Sequence, residues 1–394
     1  MKAVGVFFCA LLLASFYPAK AQPGNGFIHE LLKRIEQQQI SQDSFFISGI
    51  FPSYVGKAKD KFSKRRPENN VFSTSIIVYT LKQLKPKLDE ESCRIIDNIE
   101  SRAKKIFTKF ENKNGKGTYN FWRLDTAFKF PFNSWLPVVY RSWQLPDDMD
   151  CTVMALLAQD AKDSTAAKMH LQMQQYAGYP AKKVRQVPAN YKNIPAYSTW
   201  FGKKFPVFYD VCVEANVLNF VQEYQLAWTK ADSATLQFIV EVVRSKDYLK
   251  RYTEISPYYI QPPIILYHLA RLMSAKPIPE LEKFKTQLVE DAMQLFSQSN
   301  NQLVKMILAS AICKWGYQPP SMDMPDEPVL YQLLEENDMP FFVGNMLSFP
   351  REPLKTILSA MFKRNLVYYD HCPAYNDVLY LEYLLLNKKS GAGK

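Results

Sequence analysis

Residues 209–226 read YDVCVEANVLNFVQEYQL, and residues 280–294 read ELEKFKTQLVEDAMQ. In the first stretch Val211, Val213, Ala215, Val217, Leu218, Phe220 and Val221 cover most of a helical circumference, the pattern of a helix buried all round. The second alternates Glu and Lys with an apolar stripe, the pattern of a helix with one face in water. The same contrast recurs along the chain. Helical periodicity runs over 70–84 and 89–110, 150–159 and 163–176, 209–226 and 233–249, and 262–274 and 279–297. Further helical stretches follow at 302–314, 328–336, 353–363 and 375–386. Ser73 is read as the cap of the first helix. Strand-like alternation with hairpin turns is essentially absent. Alternating inner and outer helices give the expected fold class: all-α, an α/α toroid whose inner helices start at one rim around a central cavity.

The N-terminus sets the compartment. Met1 and Lys2 precede an apolar run from Val4 to Phe16, and Ala19-Lys20-Ala21 follows, the layout of a secretory signal peptide. That run is shorter than the ~20 residues a membrane span needs. The expectation is a signal peptide over 1–21, one toroid domain over 22–394, and an exported protein, periplasmic or secreted. Five scattered cysteines remain after Cys9 leaves with the signal, an odd number that does not form a disulfide framework.

The formal charge is +11; without Lys2 and Lys20 it is 47 basic against 38 acidic residues, or +9. Part of the excess sits in two presumptive loops, at Lys57, Lys59, Lys61, Lys64, Arg65 and Arg66, and at Lys182, Lys183 and Arg185. These suit solvated loops or peripheral contact with an anionic membrane surface. No nucleic-acid motif accompanies them, and nucleic acid is not expected as a partner. Neither a Gly-rich phosphate loop nor a Gly-x-Ser-x-Gly elbow occurs, which argues against nucleotide and α/β-hydrolase chemistry.

Three short stretches resemble the terpenoid cyclase and protein prenyltransferase superfamily of α/α toroids. Asp147-Asp148-Met149-Asp150-Cys151-Thr152 is similar to the Asp-x-Asp-Asp-Thr segment of squalene-hopene and class II terpene cyclases. Aligned on Thr152, Asp148 and Asp150 match the first two aspartates, and Cys151 stands in place of the third. Thr199-Trp200-Phe201 through Asp210 and Asn216, and Tyr258-Tyr259 through His268 and Arg271, resemble inner-helix entries of the same superfamily. The Gln/Trp repeats of triterpene cyclases are missing.

The resemblance implies chemistry. Asp150 would be the protonated general acid and Asp148 its supporting neighbour, since burial and a nearby carboxylate both hold a proton on such a group. Aromatic faces would steady a carbocation; Trp122, Trp143, Trp200, Tyr209, Tyr258 and Tyr259 are candidates, with Asp147 and Asn216 as polar binding residues. The same aspartates also suit a helix cap. Protein prenyltransferases imply a second set, Asp210, Cys212 and His268, as zinc ligands, zinc being the only cofactor considered. Expected partners are a hydrophobic small molecule or a glycan. A non-catalytic binding toroid, or a glycan-active barrel pairing Asp148 with Asp210, stands as the alternative to an isomerase or lyase.

Overall fold

The computed structural model describes residues 25–60, 64–125, 145–202, 205–337, 339–348, 350 and 353–387. The expected signal peptide, Lys61 and Trp143 lie outside them. In chain order the longer helices and the strands are α1 (Asn25–Gln38), β1 (Ser53–Lys57), β2 (Arg66–Glu68), α2 (Val71–Leu84), α3 (Glu90–Ala103), α4 (Met149–Ala158) and α5 (Asp163–Met173). Then come β3 (Val184–Arg185), β4 (Val207–Phe208), α6 (Val211–Glu223), α7 (Lys230–Ser245), α8 (Pro262–Ala275), α9 (Lys285–Gln298) and α10 (Gln302–Lys314). The series ends with α11 (Glu327–Glu336), β5 (Val343–Asn345), α12 (Leu354–Leu366), β6 (Val367–His371) and α13 (Pro373–Leu386). No described helix is long and apolar enough to cross a membrane.

The helices sort by burial as the periodicity expects. Every residue of α4 is buried, and all of α6 except Glu223. In α9 only a stripe is covered, formed by Leu288, Val289, Asp291, Ala292 and Phe296. The buried helices follow one another in contact: α2 packs on α4, α4 on α6, α6 on α8, α8 on α10, α10 on α13, and α13 returns to α2. Partly exposed helices flank this series, α3 on α2, α7 on α6, α9 on α10 and α11 on α13, while α1 lies on α3 and α13. Burying whole helices in this way confines the apolar residues to one large core cluster, running from Ile28 to Leu385.

How the six buried helices begin decides where chemistry can sit. Four start with a side-chain cap: Asn70 Oδ1 accepts from Ser73 N at 2.9 Å, Asp148 Oδ1 from Cys151 N at 2.6 Å, Asp210 Oδ1 from Cys212 N at 2.9 Å, and Asn301 Oδ1 from Leu303 N at 2.9 Å. The other two, α8 and α13, open on Pro262 and Pro373, whose missing N–H would have had no partner in a first turn. The cap of α2 is thus Asn70, and Ser73 donates to it.

The all-α expectation is corrected: the fold is helix-rich with a small sheet. Its strands run β2-β1-β6-β5, antiparallel throughout, pairing Tyr54 with His371, Val55 with Asp370 and Val343 with Tyr369. These strands are three to five residues long, too short for alternation to register. In β6 four of five side chains are buried, since both faces are covered. Of the basic residues at 57–66, Lys57 therefore lies on β1 and Arg66 on β2, two strands that pair antiparallel. Arg185 likewise lies on a strand, β3, paired in parallel with β4. The sheet serves the helix ends: β2 runs into α2, β6 into α13, and Val343 N donates to Tyr258 O ahead of α8. A further helix, α1, was not anticipated from periodicity.

Candidate functional site

The leading ends of α2, α4 and α6 and the small sheet enclose a cavity of about 130 Å³. A cavity of ~150 Å³ is known to hold benzene, so this one takes a group of about that size. Its walls are largely aromatic: Phe72 on α2, Phe121 and Trp122 after α3, Trp200 before α6, Tyr258 and Tyr259 before α8, and Phe342 beside β5. Asp148 and Asp150 come to it from α4; Glu68 and Asp370 come from the sheet.

Asp148 is held by its own helix. Its Oδ1 caps α4 through Cys151 N at 2.6 Å, and its backbone carbonyl accepts from Thr152 Oγ1 at 2.7 Å. Burial, opposed by the Cys151 amide and reinforced by the charge of Asp150, pushes its carboxyl up to about 8. At neutral pH it is chiefly a carboxylic acid on the wall of an aromatic cavity. Cys151, in the place of a third aspartate, supplies the capping amide and a thiol that burial keeps protonated.

Asp150 sits one residue into α4 with both oxygens engaged. Asn216 Nδ2 donates to Oδ1 at 2.6 Å, and the Tyr259 hydroxyl donates to Oδ2. Arg271 in turn donates to Asn216 Oδ1, and its guanidinium lies 5.6 Å from the Tyr267 ring and 5.9 Å from the Tyr79 ring. Burial raises the Asp150 pKa, while these donors and the arginine pull it back. The result is a buried relay, Asp150–Asn216–Arg271, linking α4, α6 and α8.

Glu68 and Asp370 form a second acidic set that sequence reading missed. Asn70 Nδ2 lies 3.3 Å from Glu68 Oε2 and 3.2 Å from Asp370 Oδ2, and Trp122 Nε1 donates to Glu68 Oε1 at 2.7 Å. The two carboxyls are hydrogen-bonded to each other, and burial raises both, Asp370 far more than Glu68. Burial favours a proton within the pair, while the Trp122 and Asn70 donors oppose that rise at Glu68. Asp370-His371-Cys372 reads in sequence as a polar cluster in a turn; Asp370 and His371 instead end β6, whose pairing carries Asp370 opposite Val55, and Cys372 leads into α13.

Several expected site residues serve the fold instead. Asp147 accepts from Thr118 Oγ1 at 2.5 Å and Asn112 Nδ2 at 2.8 Å, tying the loop before α4. Tyr209 is fully buried and donates to Ile194 O at 2.8 Å. Neither lines the cavity, nor does Asn216, which reaches it only through Asp150. Trp200, Tyr258 and Tyr259 do line it.

Asp210, Cys212 and His268 do not assemble as a metal site. Both oxygens of Asp210 are taken: Oδ1 accepts from Cys212 N at 2.9 Å and Ser256 Oγ at 2.7 Å, and Oδ2 accepts from Tyr258 N at 2.9 Å. His268 stands on α8 against Tyr259, ring centroids 4.7 Å apart, with Nδ1 donating to Ile264 O at 2.8 Å. Among the described residues no three His, Cys, Asp or Glu side chains are grouped to hold a metal. The glycan pairing of Asp148 with Asp210 is not assembled in the cavity either, since Asp210 is not part of its wall.

No family model, curated protein or solved structure matches the chain.

The buried acids make stability depend on pH. A carboxyl that is neutral in the fold and ionised in the unfolded chain makes the fold bind more protons, so stability falls as pH rises between the two pKa values. For Asp148 that window runs from 3.8 to about 8, and for Asp210 from 3.8 to about 7. Glu214, fully buried with neither oxygen hydrogen-bonded, acts in the same direction. His371 acts oppositely: burial pushes it from 6.5 down to about 4, so stability falls as pH drops through that window. Above pH 6.5 only the acids contribute. Thermal unfolding is expected to be latest at mildly acidic pH, with stability falling between pH 6.5 and 8 by roughly 1 kcal/mol per pH unit for each acid still neutral in the fold. A midpoint flat or rising over that range would contradict the assignment of neutral acids.

Proposed function

We propose that the closed series of buried helices is an α/α toroid, and that its mouth binds the apolar end group of a small hydrophobic ligand and protonates it. The observation that carries this reading is a carboxylic acid, Asp148, kept neutral on the wall of an aromatic cavity. A carboxylic acid kept protonated in an apolar site, facing π-systems rather than water, is the arrangement that can deliver a proton to an alkene and shelter the resulting cation. Asp148 suits the donor role better than Asp150, because both oxygens of Asp150 are already held by Asn216 and Tyr259. The size of the cavity favours one isoprenoid end group. Its apolar walls favour such a ligand over a sugar. The layout of residues 1–21 supports export to the periplasm or medium.

The step is a simple one. The Asp148 O–H bond breaks, the alkene π pair forms a C–H bond, and the adjacent carbon becomes cationic until it loses a proton or takes up water. In D₂O the donated proton is a deuteron. Incubating the protein with isoprenoid alkenes of five to fifteen carbons in D₂O is therefore expected to give carbon-bound deuterium, read by mass spectrometry. Tight binding without incorporation would leave a binding toroid and remove the catalytic reading.

The outside of the mouth supports a lipid source. On α12, Leu354, Ile357 and Met361 recur on one face and are 53%, 51% and 66% exposed. That helix packs on Met346–Ser348, whose Met346 lines the cavity, and on Ala58–Asp60, which follow β1. Residues 57–66 carry six basic residues and one acidic one. An apolar stripe beside a basic stretch fits an anionic bilayer, where each basic residue adds about 1 kcal/mol. The protein is expected to sediment with phosphatidylglycerol vesicles and less with neutral ones, and a Leu354→Ser, Ile357→Ser, Met361→Ser variant to remain in the supernatant. Equal sedimentation of that variant, or a dimer that dissociates on the same substitutions, would remove the bilayer as occupant.

A further inference from the structure

The cavity has an electrostatic character that an apolar ligand alone does not explain. Of the described residues lining it, four are acidic, Glu68, Asp148, Asp150 and Asp370, and none is Lys, Arg or His. This stands against a chain whose formal charge is +11. The Glu68–Asp370 pair is furnished for a charge: Trp122 Nε1 at 2.7 Å and Asn70 Nδ2 at 3.3 Å both donate to Glu68, bonds that steady its ionised form and oppose the rise that burial causes, so a cation beside the pair meets a carboxyl ready to ionise. Thr199 adds a second, separate sign. It lines the cavity, is 3% exposed, and its Oγ1 has no hydrogen-bond partner. A buried polar atom left unpaired costs about 1–3 kcal/mol, so an occupant that pairs with it gains that much.

We propose that the cavity is a site for a small organic cation with an apolar body, an alkyl ammonium of about five carbons, with the Glu68–Asp370 pair as counter-charge and Thr199 Oγ1 accepting an N–H. The aromatic walls meet its hydrocarbon part, and their faces attract the charge itself, the more so because the site excludes water. This inference rests on the cavity being a ligand site, as in the functional reading, and is independent of proton transfer. It also gives the Glu68–Asp370 pair a role toward the cation that protonation of an alkene would create.

Titration calorimetry of the full chain at pH 7.5 with 3-methylbut-2-enylamine and with the matching alcohol tests it. The ammonium is expected to bind at least ten times more tightly than the alcohol. Repeating the titration in buffers of different ionisation heat is expected to show proton release on ammonium binding, as the acids facing it ionise. Glu68→Gln is expected to shrink the preference below threefold while the alcohol binds as before. Asp370→Asn serves as the second variant, should Glu68→Gln fail to fold. Equal binding of amine and alcohol, or a preference unchanged in both variants, overturns the inference and leaves the apolar-ligand reading standing. Failure of both molecules to bind overturns the two together.

Discussion

Asp148→Asn is expected to lower deuterium incorporation into an isoprenoid alkene by about 10²- to 10⁴-fold, the range that positioned general acids supply. The same substitution is expected to leave the fold intact. Asparagine keeps an Oδ1 that caps α4 through Cys151 N, so the first turn retains its partner. What it removes is the titratable proton, and with it a carboxyl that burial pushes up to about 8. The variant should therefore match the parent near pH 4 and exceed it in stability by a margin that grows as pH rises toward 8, because the unfolded parent ionises while the folded parent must keep its proton or hold a buried charge. Asp150→Asn behaves differently. Asn216 Nδ2 and the Tyr259 hydroxyl both donate to Asp150, and an amide group cannot accept through its nitrogen. That variant is expected to lose stability together with incorporation. If Asp150→Asn alone stopped incorporation while keeping the parent's stability, the donor would be Asp150. If both variants incorporated normally, the cavity would not be a proton-donating site.

Much of the helical frame was legible from the chain. Residues 209–226 are apolar on nearly every side, and a helix that cannot face water must be surrounded by others; the structure has α6 at 211–223 with contacts to α4, α8 and α7. Helices at 302–314 and 262–275 also fall where periodicity puts them. The sheet was not legible, because its strands are only three to five residues long and β6, with four of its five side chains buried, is covered on both faces. The site divides along the same line. Asp148 and Asp150 announce themselves by sitting at the start of an apolar helix, and they do line the cavity. Glu68 and Asp370, about 300 residues apart along the chain, meet only because β6 pairs with β1, a register no local pattern encodes. One hint was Asn70, a cap residue whose amide nitrogen is left over to donate, and it stands among Ser53 Oγ at 2.8 Å and the two carboxyls. Asp210 and Cys212 illustrate the reverse error. An Asp-x-Cys pair at a helix start fits a zinc ligand set in sequence, yet the same two-residue spacing is what lets the carboxylate reach the Cys212 amide as a cap.

That cap makes Asp210 the residue whose removal should cost the fold most. Asp210→Ala deletes an acceptor that serves three donors at once, Cys212 N at 2.9 Å, Ser256 Oγ at 2.7 Å and Tyr258 N at 2.9 Å. One of these is the first turn of a wholly buried helix; the other two fix the segment that brings Tyr258 and Tyr259 to the cavity. Asp210 is 0% exposed, so water does not replace the lost acceptor. Losing a cap costs about 1–2 kcal/mol and each stranded buried donor about 1–3 kcal/mol, giving on the order of 4 kcal/mol. A loss of that size is a large fraction of the stability of a typical protein. Ser256→Ala separates the parts, because it removes one donor and its hydroxyl together and is expected to cost about 1 kcal/mol. Denaturant unfolding followed by circular dichroism measures all three proteins. An Asp210→Ala midpoint within 1 kcal/mol of the parent would mean that the carboxylate is not the tie between α6 and the 256–258 segment, and the positioning of Tyr258 and Tyr259 at the mouth would need another cause.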